Sequence, residues 1–328
     1  MPACTTRRST ALTRLTAVAA VAVAGTLVLT GCGDQTKKDS SSSGSSSSAT
    51  ASSGSTAGTG NSAGAAPLFA KLPKKYQDAG VIKVGTDASY APMEQTENGK
   101  IVGIDPDLGD ALSKQLGVKF EFTNGQFDGL ITSLYTGRED IVMSAMSDTK
   151  ARQQGLDDKG KKVGKGVDFV DYYMSGSSLL VKKGNPKGVK TLADLCGQTV
   201  AVQRGTIYED AFKQQKTACG SKGLTIESFD TDTEAQTRVK AGGAVADLND
   251  TPVAAYIAQK SGGAFEVAGS PADAGPFGIA VDKSNSQLRD ALQQAMQAII
   301  ADGSYAQVLQ KWNANVGALT TVKINGGS

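Results

Sequence analysis

Histidine is absent from the 328-residue chain, and its absence excludes a whole group of catalytic and metal-binding mechanisms. A Ser-His-Asp triad, an imidazole general base and a histidine-containing metal cluster all need that side chain. A marked excess of one charge is absent too, because 34 basic and 32 acidic residues leave a formal net charge of +2. Nucleic-acid-binding domains usually carry a clear basic excess. We therefore expect no metal, no cofactor and no nucleic-acid partner.

The N-terminal residues are typical of an export signal. Arg7, Arg8 and Arg14 form a positively charged start without an acid, and an apolar run rich in Ala and Val covers residues 15–29. A transmembrane helix is the alternative, but this run of about 15 residues is shorter than the ~20 that a bilayer-spanning helix needs. The Arg7–Arg8 pair leaves twin-arginine export open beside the general secretory route.

The apolar run ends in Leu29-Thr30-Gly31-Cys32, which resembles the lipobox of bacterial lipoproteins. That resemblance implies that residues 1–31 are a lipoprotein signal peptide and that Cys32 is lipidated as the first residue of the mature chain. Two lipid chains are enough for stable anchoring where one is marginal. We expect the protein at the extracellular face of the cell membrane of a Gram-positive bacterium.

A Ser- and Gly-rich segment of low complexity occupies residues 32–66 and contains no aromatic residue. Such a segment cannot bury enough apolar area to offset its ordering entropy. A flexible chain of this length has a typical end-to-end distance of ~30 Å. We predict a disordered tether between the membrane and a folded part that begins at residue 67; a glycosylated stalk is compatible with this.

The cysteines suggest a disulfide bond in the folded part. Cys4 lies in the signal and Cys32 takes the lipid, so Cys196 and Cys219 remain. Disulfides persist in exported proteins, and closing this loop would contribute ~3 kcal/mol in the chain-entropy model. Two buried free thiols are the alternative. A metal site built from two cysteines without histidine is not expected.

From residue 67 to 322, strand and helix patterns alternate. Leu108, Leu112 and Leu116 recur at helical spacing before a glycine, and the apolar and polar residues of 118–122 alternate as in a half-buried strand. The same order of patterns returns in residues 199–258. The sequence therefore predicts an α/β protein with two lobes. Ligands of such sheets bind beyond the carboxyl ends of the strands, so the residues after each strand are candidates for a site.

The residues at these strand ends combine opposite charges with aromatic rings. A guanidinium group and the N–H groups of a helix start bind carboxylates, and a carboxylate such as that of Asp250 binds an ammonium group. The set could therefore hold a zwitterion. Each buried charge needs its opposite, because an unpaired buried charge is very costly. The candidate ligand-binding residues are Asp87, Tyr90, Phe127, Ser144, Ala145, Ser147, Arg152, Thr206, Ile207 and Asp250.

An ordered set of stretches makes the chain similar to family 3 of the bacterial extracellular solute-binding proteins, the amino-acid receptors of ABC importers. The resemblance covers about residues 75–315. Ala145 departs from the serine of some members, and Pro106 from the usual aliphatic residue. The stretches are Asp87-x-x-Tyr90-x-Pro92, Gly103-Ile104-Asp105-Pro106-Asp107-Leu108, Ser144-x-x-Ser147-x-Thr149-x-x-Arg152, Gly205-Thr206 and Asp250.

This resemblance implies a two-lobed periplasmic-binding-protein-like fold of type II, with the ligand in the cleft between the lobes. Two hinge crossovers, near residues 172–180 and 274–278, would join the lobes. Lobe 1 would be discontinuous, with residues 67–174 and 275–322, and lobe 2 would contain residues 175–274. Residues 323–328 are predicted to be a flexible C-terminal tail.

The resemblance also assigns a carboxylate site. Arg152 would bind the α-carboxylate of the ligand, together with Ser147 and the amides of Thr206 and Ile207. A solvated surface arginine at a helix start is the alternative for Arg152. Asp105 and Asp107 are interpreted as acids that favour a helix start.

An ammonium site and a side-chain site complete the assignment. Asp250 and the carbonyl of Ser144 would bind the α-ammonium, although Asp250 could equally cap the helix that follows. Tyr90 and Phe127 would enclose the ligand side chain, unless they are core aromatics. Asp87 would lie near the polar end of that side chain, which favours a polar or basic amino acid; local turn bonding is the alternative.

Together these features predict a monomeric, lipid-anchored receptor, not an enzyme. It would bind a free amino acid and deliver it to an ABC permease in the membrane. An exported sensor module of the same fold is one alternative, and a dehydratase-type enzyme with Asp87 or Glu94 as acid is another. The amino acid, the permease, and any contact of the basic loop 159–165 with ligand or partner stay open.

Overall fold

The computed structural model describes residues 66–157 and 159–328. The predicted signal peptide, Cys32 and the predicted tether up to residue 65 lie outside the described residues. Within the described ranges, no helix has the length and apolar character to cross a bilayer.

Strands and helices alternate along the chain, as predicted. The strands are Val81–Thr86 (β1), Ser89–Tyr90 (β2), Glu94–Glu97 (β3), Lys100–Val102 (β4), Lys119–Asn124 (β5), Ile141–Val142 (β6), Val167–Lys182 (β7), Thr199–Gln203 (β8), Thr225–Phe229 (β9), Ala246–Asp250 (β10) and Phe265–Asp282 (β11). The α-helices are Lys74–Ala79 (α1), Ile104–Leu116 (α2), Leu130–Tyr135 (α3), Lys150–Gln154 (α4), Ile207–Ala218 (α5), Asp232–Lys240 (α6), Thr251–Lys260 (α7), Ser286–Ala301 (α8) and Ser304–Lys311 (α9).

The two long strands β7 and β11 connect two halves of one eight-stranded sheet, whose order is β5-β1-β6-β11-β7-β10-β8-β9. In lobe 1, β6 pairs with the end of β11, and β1 lies between β5 and β6 in parallel. In lobe 2, β10 pairs with the end of β7, and β8 lies between β9 and β10 in parallel. The α/β fold with two lobes and two crossovers is therefore confirmed.

The pairing of β7 with β11 is irregular between the lobes. Its register shifts between Ala268 and Ala272 and again between Ala272 and Gly275. These shifts interrupt the ladder of hydrogen bonds where the chain passes from one lobe to the other. The lobe boundaries at 174/175 and 274/275 remain a prediction.

Each lobe has apolar side chains on the faces that the sequence periodicity predicts. Leu108, Leu112 and Leu116 of α2 are fully buried in lobe 1, and Gly117, whose φ is 71°, caps the C-terminal end of the helix. Burial of one such leucine contributes about 1.5–3 kcal/mol. A second cluster in lobe 2 includes Val200 of β8 and Phe212 of α5.

A disulfide joins Cys196 to Cys219, with their Cα atoms 5.3 Å apart. Cys219 follows the last residue of α5, and Cys196 lies just before β8. The bond therefore attaches the C-terminal end of α5 to the sheet of lobe 2.

The prediction of a flexible tail at residues 323–328 is wrong. Lys323 O accepts a hydrogen bond from Asp171 N at 3.0 Å, and Ile324 forms an antiparallel bridge with Val170. The N-terminal half of β7 pairs with β11 on one side, and the 323–328 segment supplies partners on the other. An uncovered strand edge leaves unpaired backbone groups, which explains why a polar segment becomes ordered here.

Removal of the disulfide should weaken the fold. Replacement of both cysteines by serine, Cys196→Ser with Cys219→Ser, should lower the free energy of unfolding by about 3 kcal/mol, because the bond closes a loop with a sequence separation of 23. Urea denaturation followed by circular dichroism measures this change. The unsubstituted protein in reductant should show the same loss, and an unchanged unfolding midpoint would contradict the prediction.

Candidate functional site

The predicted ligand-binding residues lie together in the cleft between the lobes. In this form the cleft is nearly filled by its own side chains, and the space left in it is about 20 Å³, room for about one water molecule. Their proximity is observed, and their roles toward a ligand remain predictions. The lining residues are Asp87, Tyr90, Glu94, Phe127, Ser144, Ala145, Ser147, Arg152, Gln203, Thr206, Ile207, Tyr208 and Asp250.

Arg152 is a fixed cation at this cleft. The hydroxyl of Thr149 caps α4 by accepting a hydrogen bond from Arg152 N at 3.2 Å. The guanidinium donates to Ser147 O at 2.8 Å and, across the cleft, to Gly205 O at 3.3 Å. It also lies 5.4 Å from the centre of the Phe127 ring. Desolvation lowers the pKa of Arg152 to about 10, so the side chain stays protonated at neutral pH.

The N-terminus of α5 faces the same region from lobe 2. Thr206 caps this helix, because its Oγ1 accepts a hydrogen bond from Glu209 N at 3.2 Å and donates one to Gln203 O at 2.8 Å. The first N–H groups of a helix have no acceptor within the helix. The amides of Thr206 and Ile207 are therefore suited to an anionic group, and the helix dipole has the favourable sign.

Asp250 is a buried carboxylate at the end of β10. It precedes α7 at the capping position, but its side chain makes no capping hydrogen bond. Instead, Oδ2 accepts from Tyr90 OH at 2.7 Å and Oδ1 from Tyr208 OH at 2.5 Å. Burial raises the pKa of Asp250 to about 6, and the tyrosine hydrogen bonds oppose the rise. Asp250 is thus an acid held in the cleft by two hydroxyl groups from different lobes.

Asp87 follows β1 and is also buried. Its Oδ1 accepts from Ser89 Oγ at 2.7 Å, and its Oδ2 accepts from Gln203 Nε2 at 2.5 Å. Burial raises the pKa of Asp87, and these two hydrogen bonds lower it. Both of these donors are neutral, so dipoles and not a positive charge stabilise the ionised carboxylate of Asp87 at these two contacts.

The turn after β6 is built on unusual backbone geometry. Ala145 has a φ of 45°, in the left-handed region that alanine rarely adopts. Its amide donates to Asp105 Oδ2 and to Tyr172 OH, both at 3.1 Å, and Tyr172 OH donates to the same Oδ2 at 2.8 Å. Asp105 is completely buried at the start of α2. Asp105 therefore does more than favour the start of α2, because it also fixes the backbone of the turn after β6.

Ser144 connects this turn to a second buried acid. Its Oγ accepts from Asp87 N and donates to Glu94 Oε1, both at 2.9 Å. Burial and the neighbouring Asp105 raise the pKa of Glu94 well above its usual value, while burial raises the pKa of Asp105 to about 6. Burial beside a second acid therefore favours the protonated form of Glu94.

Sequence reasoning missed three lining residues, Glu94, Gln203 and Tyr208, as ligand candidates. Gln203 is the last residue of β8, so the strand-end rule could have found it. Tyr208 lies one residue beyond the candidates at the start of α5, where an aromatic residue resembles a core position. Glu94 was considered as an acid catalyst and not as part of the ligand cleft.

The lobes touch across the cleft. Tyr90 of lobe 1 reaches Asp250 of lobe 2, and Gln203 of lobe 2 reaches Asp87 of lobe 1. A Cβ atom on Gly205 would lie 2.7 Å from the Cβ of Asp128 in the opposite lobe. The described structure is therefore a closed form, in which glycine permits the close approach.

Comparisons with known proteins agree with this architecture. Residues 82–315 match the model of the family described as bacterial extracellular solute-binding proteins, family 3. The chain is 30% identical to the arginine-binding protein ArgT of Corynebacterium glutamicum over 264 residues, which cover 78% of this chain and 82% of that protein. It is 31% identical to the histidine-binding periplasmic protein of Salmonella typhimurium over 257 residues, with coverage of 76% and 91%.

A solved structure is similar over the same region. The ancestral amino acid-binding protein AncCDT-1, a precursor of cyclohexadienyl dehydratase, is 36% identical with a TM-score of 0.64, and the match covers 73% of this chain and 97% of that one. The family model spans most of the described residues. The chain belongs to family 3 of the bacterial extracellular solute-binding proteins.

Proposed function

We propose that this protein is a lipid-anchored extracellular receptor that binds a free amino acid, with a polar or basic side chain favoured, and delivers it to an ABC importer permease. The observation that carries the proposal is the pairing of a cationic Arg152 with the buried carboxylate of Asp250 in one closed cleft. An α-amino acid carries the complementary pair of charges on adjacent groups.

The α-carboxylate fits the Arg152 side of the cleft. The guanidinium now donates to two backbone carbonyls, and a carboxylate is a stronger acceptor that can take two parallel hydrogen bonds. The amides of Thr206 and Ile207 lie at the start of a twelve-residue helix and add donors of the right polarity.

The α-ammonium fits Asp250. Its carboxylate is oriented by Tyr90 and Tyr208 and has no cation among these partners. A protonated amine would offset the cost of burying the carboxylate, because the charges then pair in a low-dielectric site. The carbonyl of Ser144 is a further acceptor at the cleft.

The ligand side chain would extend between Tyr90 and Phe127 toward Asp87. The hydrogen bonds that Asp87 accepts from Ser89 and Gln203 come from neutral groups, so a cation on the ligand would supply the missing countercharge. This favours a basic amino acid over an acidic one. Relatives named for arginine and histidine binding support that preference.

Delivery to a permease and anchoring through Cys32 extend the proposal beyond the cleft. They are supported by the lipobox-like sequence 29–32, by the family, and by the low-complexity segment 32–66. We propose a monomer at the outer face of the membrane of a Gram-positive bacterium. A sensor module of the same fold would share the cleft but would serve no importer.

A dehydratase-type enzyme is the second candidate, and one observation favours it. Glu94 lines the cleft, and burial raises its pKa, which favours the protonated form that a general acid requires. However, Glu94 Oε1 already accepts from Ser144, and its carboxyl interacts with Asp105. These contacts favour a structural proton over one that is transferred to a substrate.

Thermal shifts of refolded, ligand-free protein test the proposed function. The ligands are each of the twenty amino acids and, separately, L-citrulline. At a thousandfold excess over Kd, a ligand should stabilise the fold by ~4 kcal/mol, a shift of several degrees in Tm. L-arginine should bind more tightly than L-citrulline, its neutral analogue. Arg152→Ala should cost roughly 2–5 kcal/mol of binding free energy by calorimetry.

Arg138→Ala is the matched control, because Arg138 is exposed, pairs with Glu139 and does not line the cleft. Unchanged affinity in Arg152→Ala, or no response to any amino acid by a folded protein, would refute the proposal. Turnover of a ligand by the purified protein would favour the enzyme instead.

Ligand affinity should rise with pH through the titration of Asp250. Because the pKa of Asp250 in the fold is about 6, the carboxylate is protonated at pH 5 and cannot pair with an ammonium group. Affinity for the best ligand should increase between pH 5 and 7 and then level off. Calorimetry across this range checks the prediction, and Asp250→Asn should bind weakly without that rise.

Closure should depend on Gly205. Its φ of 75° and its contact with Asp128 mean that Gly205→Ala adds both backbone strain and a clash between the lobes. We expect about tenfold weaker binding, equivalent to about 1.4 kcal/mol. Gly242→Ala is the control, since Gly242 has a φ of 80° with open space around its Cβ position. Equal losses of affinity in both variants would contradict a role in closure.

A further inference from the structure

The C-terminal segment Lys323–Ser328 contacts the loop that precedes Arg152. It lies beyond the part of the chain that matches the family, which ends at residue 315. The segment begins along β7 and ends at the loop between β6 and α4, which contains Ser147 and leads into the helix that carries Arg152.

The first half of the segment is anchored to the edge of β7. Asn325 N donates to Phe169 O at 3.0 Å, and the Asn325 side chain accepts from Phe169 N at 2.8 Å. Its Nδ2 donates to Asp168 Oδ1 at 3.0 Å. With the bridge between Ile324 and Val170, these bonds fix the path of the backbone.

The second half meets Asp148. Gly327 N donates to Asp148 Oδ2 at 2.8 Å, and Lys150 N donates to Ser328 O at 3.4 Å. Gly327 is buried, and a Cβ atom on it would lie 1.9 Å from Asp148 O. Glycine is therefore required for this approach of the two backbones.

Asp148 links the segment to the ligand-binding loop and to the hinge. Its amide donates to Pro276 O in β11 at 2.8 Å. Its Oδ1 accepts from Gln153 Nε2 at 2.7 Å, and Gln153 is the neighbour of Arg152 in α4. Asp148 also follows Ser147, which bridges to Phe277 of β11. Asp148 thus connects three elements: its carboxylate binds α4 and the C-terminal segment, and its backbone amide binds the hinge strand β11.

The carboxylate of Asp148 lies beside a second acid, so its burial depends on the hydrogen-bond donors around the pair. Asp171 of β7 lies beside Asp148; burial and Asp148 raise the pKa of Asp171 to about 7, whereas the amide of Gly326 and the charge of Lys323 lower it. Segment 323–328 therefore supplies three groups to this pair of acids: the charge of Lys323 and the amides of Gly326 and Gly327. Loss of the segment would leave two buried carboxyl groups with fewer donors, which is costly.

We propose that segment 323–328 is a positioning element of the ligand site: the Gly327 amide holds Asp148, and Asp148 holds Ser147 and Arg152 in the geometry that receives a ligand carboxylate. The inference rests on the proposed function for its consequence on binding. Its structural core, the restraint of α4 and its preceding loop, can be measured without any ligand.

Gly327→Ala in the full chain is the direct test, with L-arginine as the probe in calorimetry. Displacement of the segment from Asp148 should weaken binding about tenfold. Asn325→Ala loosens the anchor on β7 without the clash and should weaken binding in the same direction. Thr321→Ala, an exposed position just before the segment, should bind as the unsubstituted protein does.

A double-mutant cycle separates positioning from a general loss of stability. In an Arg152→Lys background, Gly327→Ala should change affinity less than twofold, because the group that it positions is already altered. A full tenfold loss in both backgrounds would overturn the proposal. An unchanged affinity in Gly327→Ala would overturn it as well.

Hydrogen exchange distinguishes failure of this inference from failure of the proposed function. If the unsubstituted protein binds no amino acid, the proposed function fails, but the restraint can still be read from the amides of Arg152 and Gln153. Their exchange should be at least tenfold faster in Gly327→Ala, while exchange in 199–212 of lobe 2 stays the same. Equal exchange rates at 152–153 in both proteins would overturn the inference.

Discussion

The cost of burying charge governs the arrangement of the cleft. Asp87, Arg152 and Asp250 meet between two lobes where water is largely excluded, and each would destabilise the fold if left without partners. The structure offsets this cost with oriented dipoles. Tyrosine hydroxyls bind Asp250, serine and glutamine bind Asp87, and backbone carbonyls bind Arg152. A site built on neutral partners remains ready for a ligand that brings the opposite charges.

The same constraint explains the buried carboxyl pairs around the cleft. In lobe 2, burial raises the pKa of Asp247 well above its usual value, with the neighbouring Asp232 as the next cause. Asn249 donates to both oxygens of Asp232, at 3.0 and 3.1 Å. The hydrogen-bond donors to Asp232 are the neutral amides of Asn249 and Gln236. Strand ends can thus carry acids into the interior without a matching set of cations.

Much of the fold could be predicted from local patterns, because the spacing of apolar residues follows the periods of helices and strands. The leucines of α2 recur at helical spacing, and a helix that buries them was expected. The strand-end rule led to Asp87 and Asp250, since parallel strands end at the same edge of a sheet. The alternation of strands and helices also predicted two lobes, whereas the two crossovers came from the family resemblance, because periodicity alone does not contain them.

The failures have a different physical origin. Asp105 resembles an ordinary acid at a helix start, and its hydrogen bond to Ala145 depends on a left-handed backbone that no pattern around alanine predicts. The polar residues after 322 resemble a flexible tail, and their order comes from an uncovered strand edge more than a hundred positions away in sequence. Both features depend on partners that are distant along the chain.

The path of the chain through the lobes has a mechanical consequence. Leu68 N donates to Gln115 O in α2, so the described chain enters the fold at lobe 1. In the described residues, the backbone passes between the lobes in β7 and β11, both of which lie farther along the chain. A pulling force on the residues before 66 would therefore load lobe 1 and bypass the hinge. Lobe 2 is therefore isolated from tension on that end, and a movement of lobe 2 relative to lobe 1 would do no work against such a force.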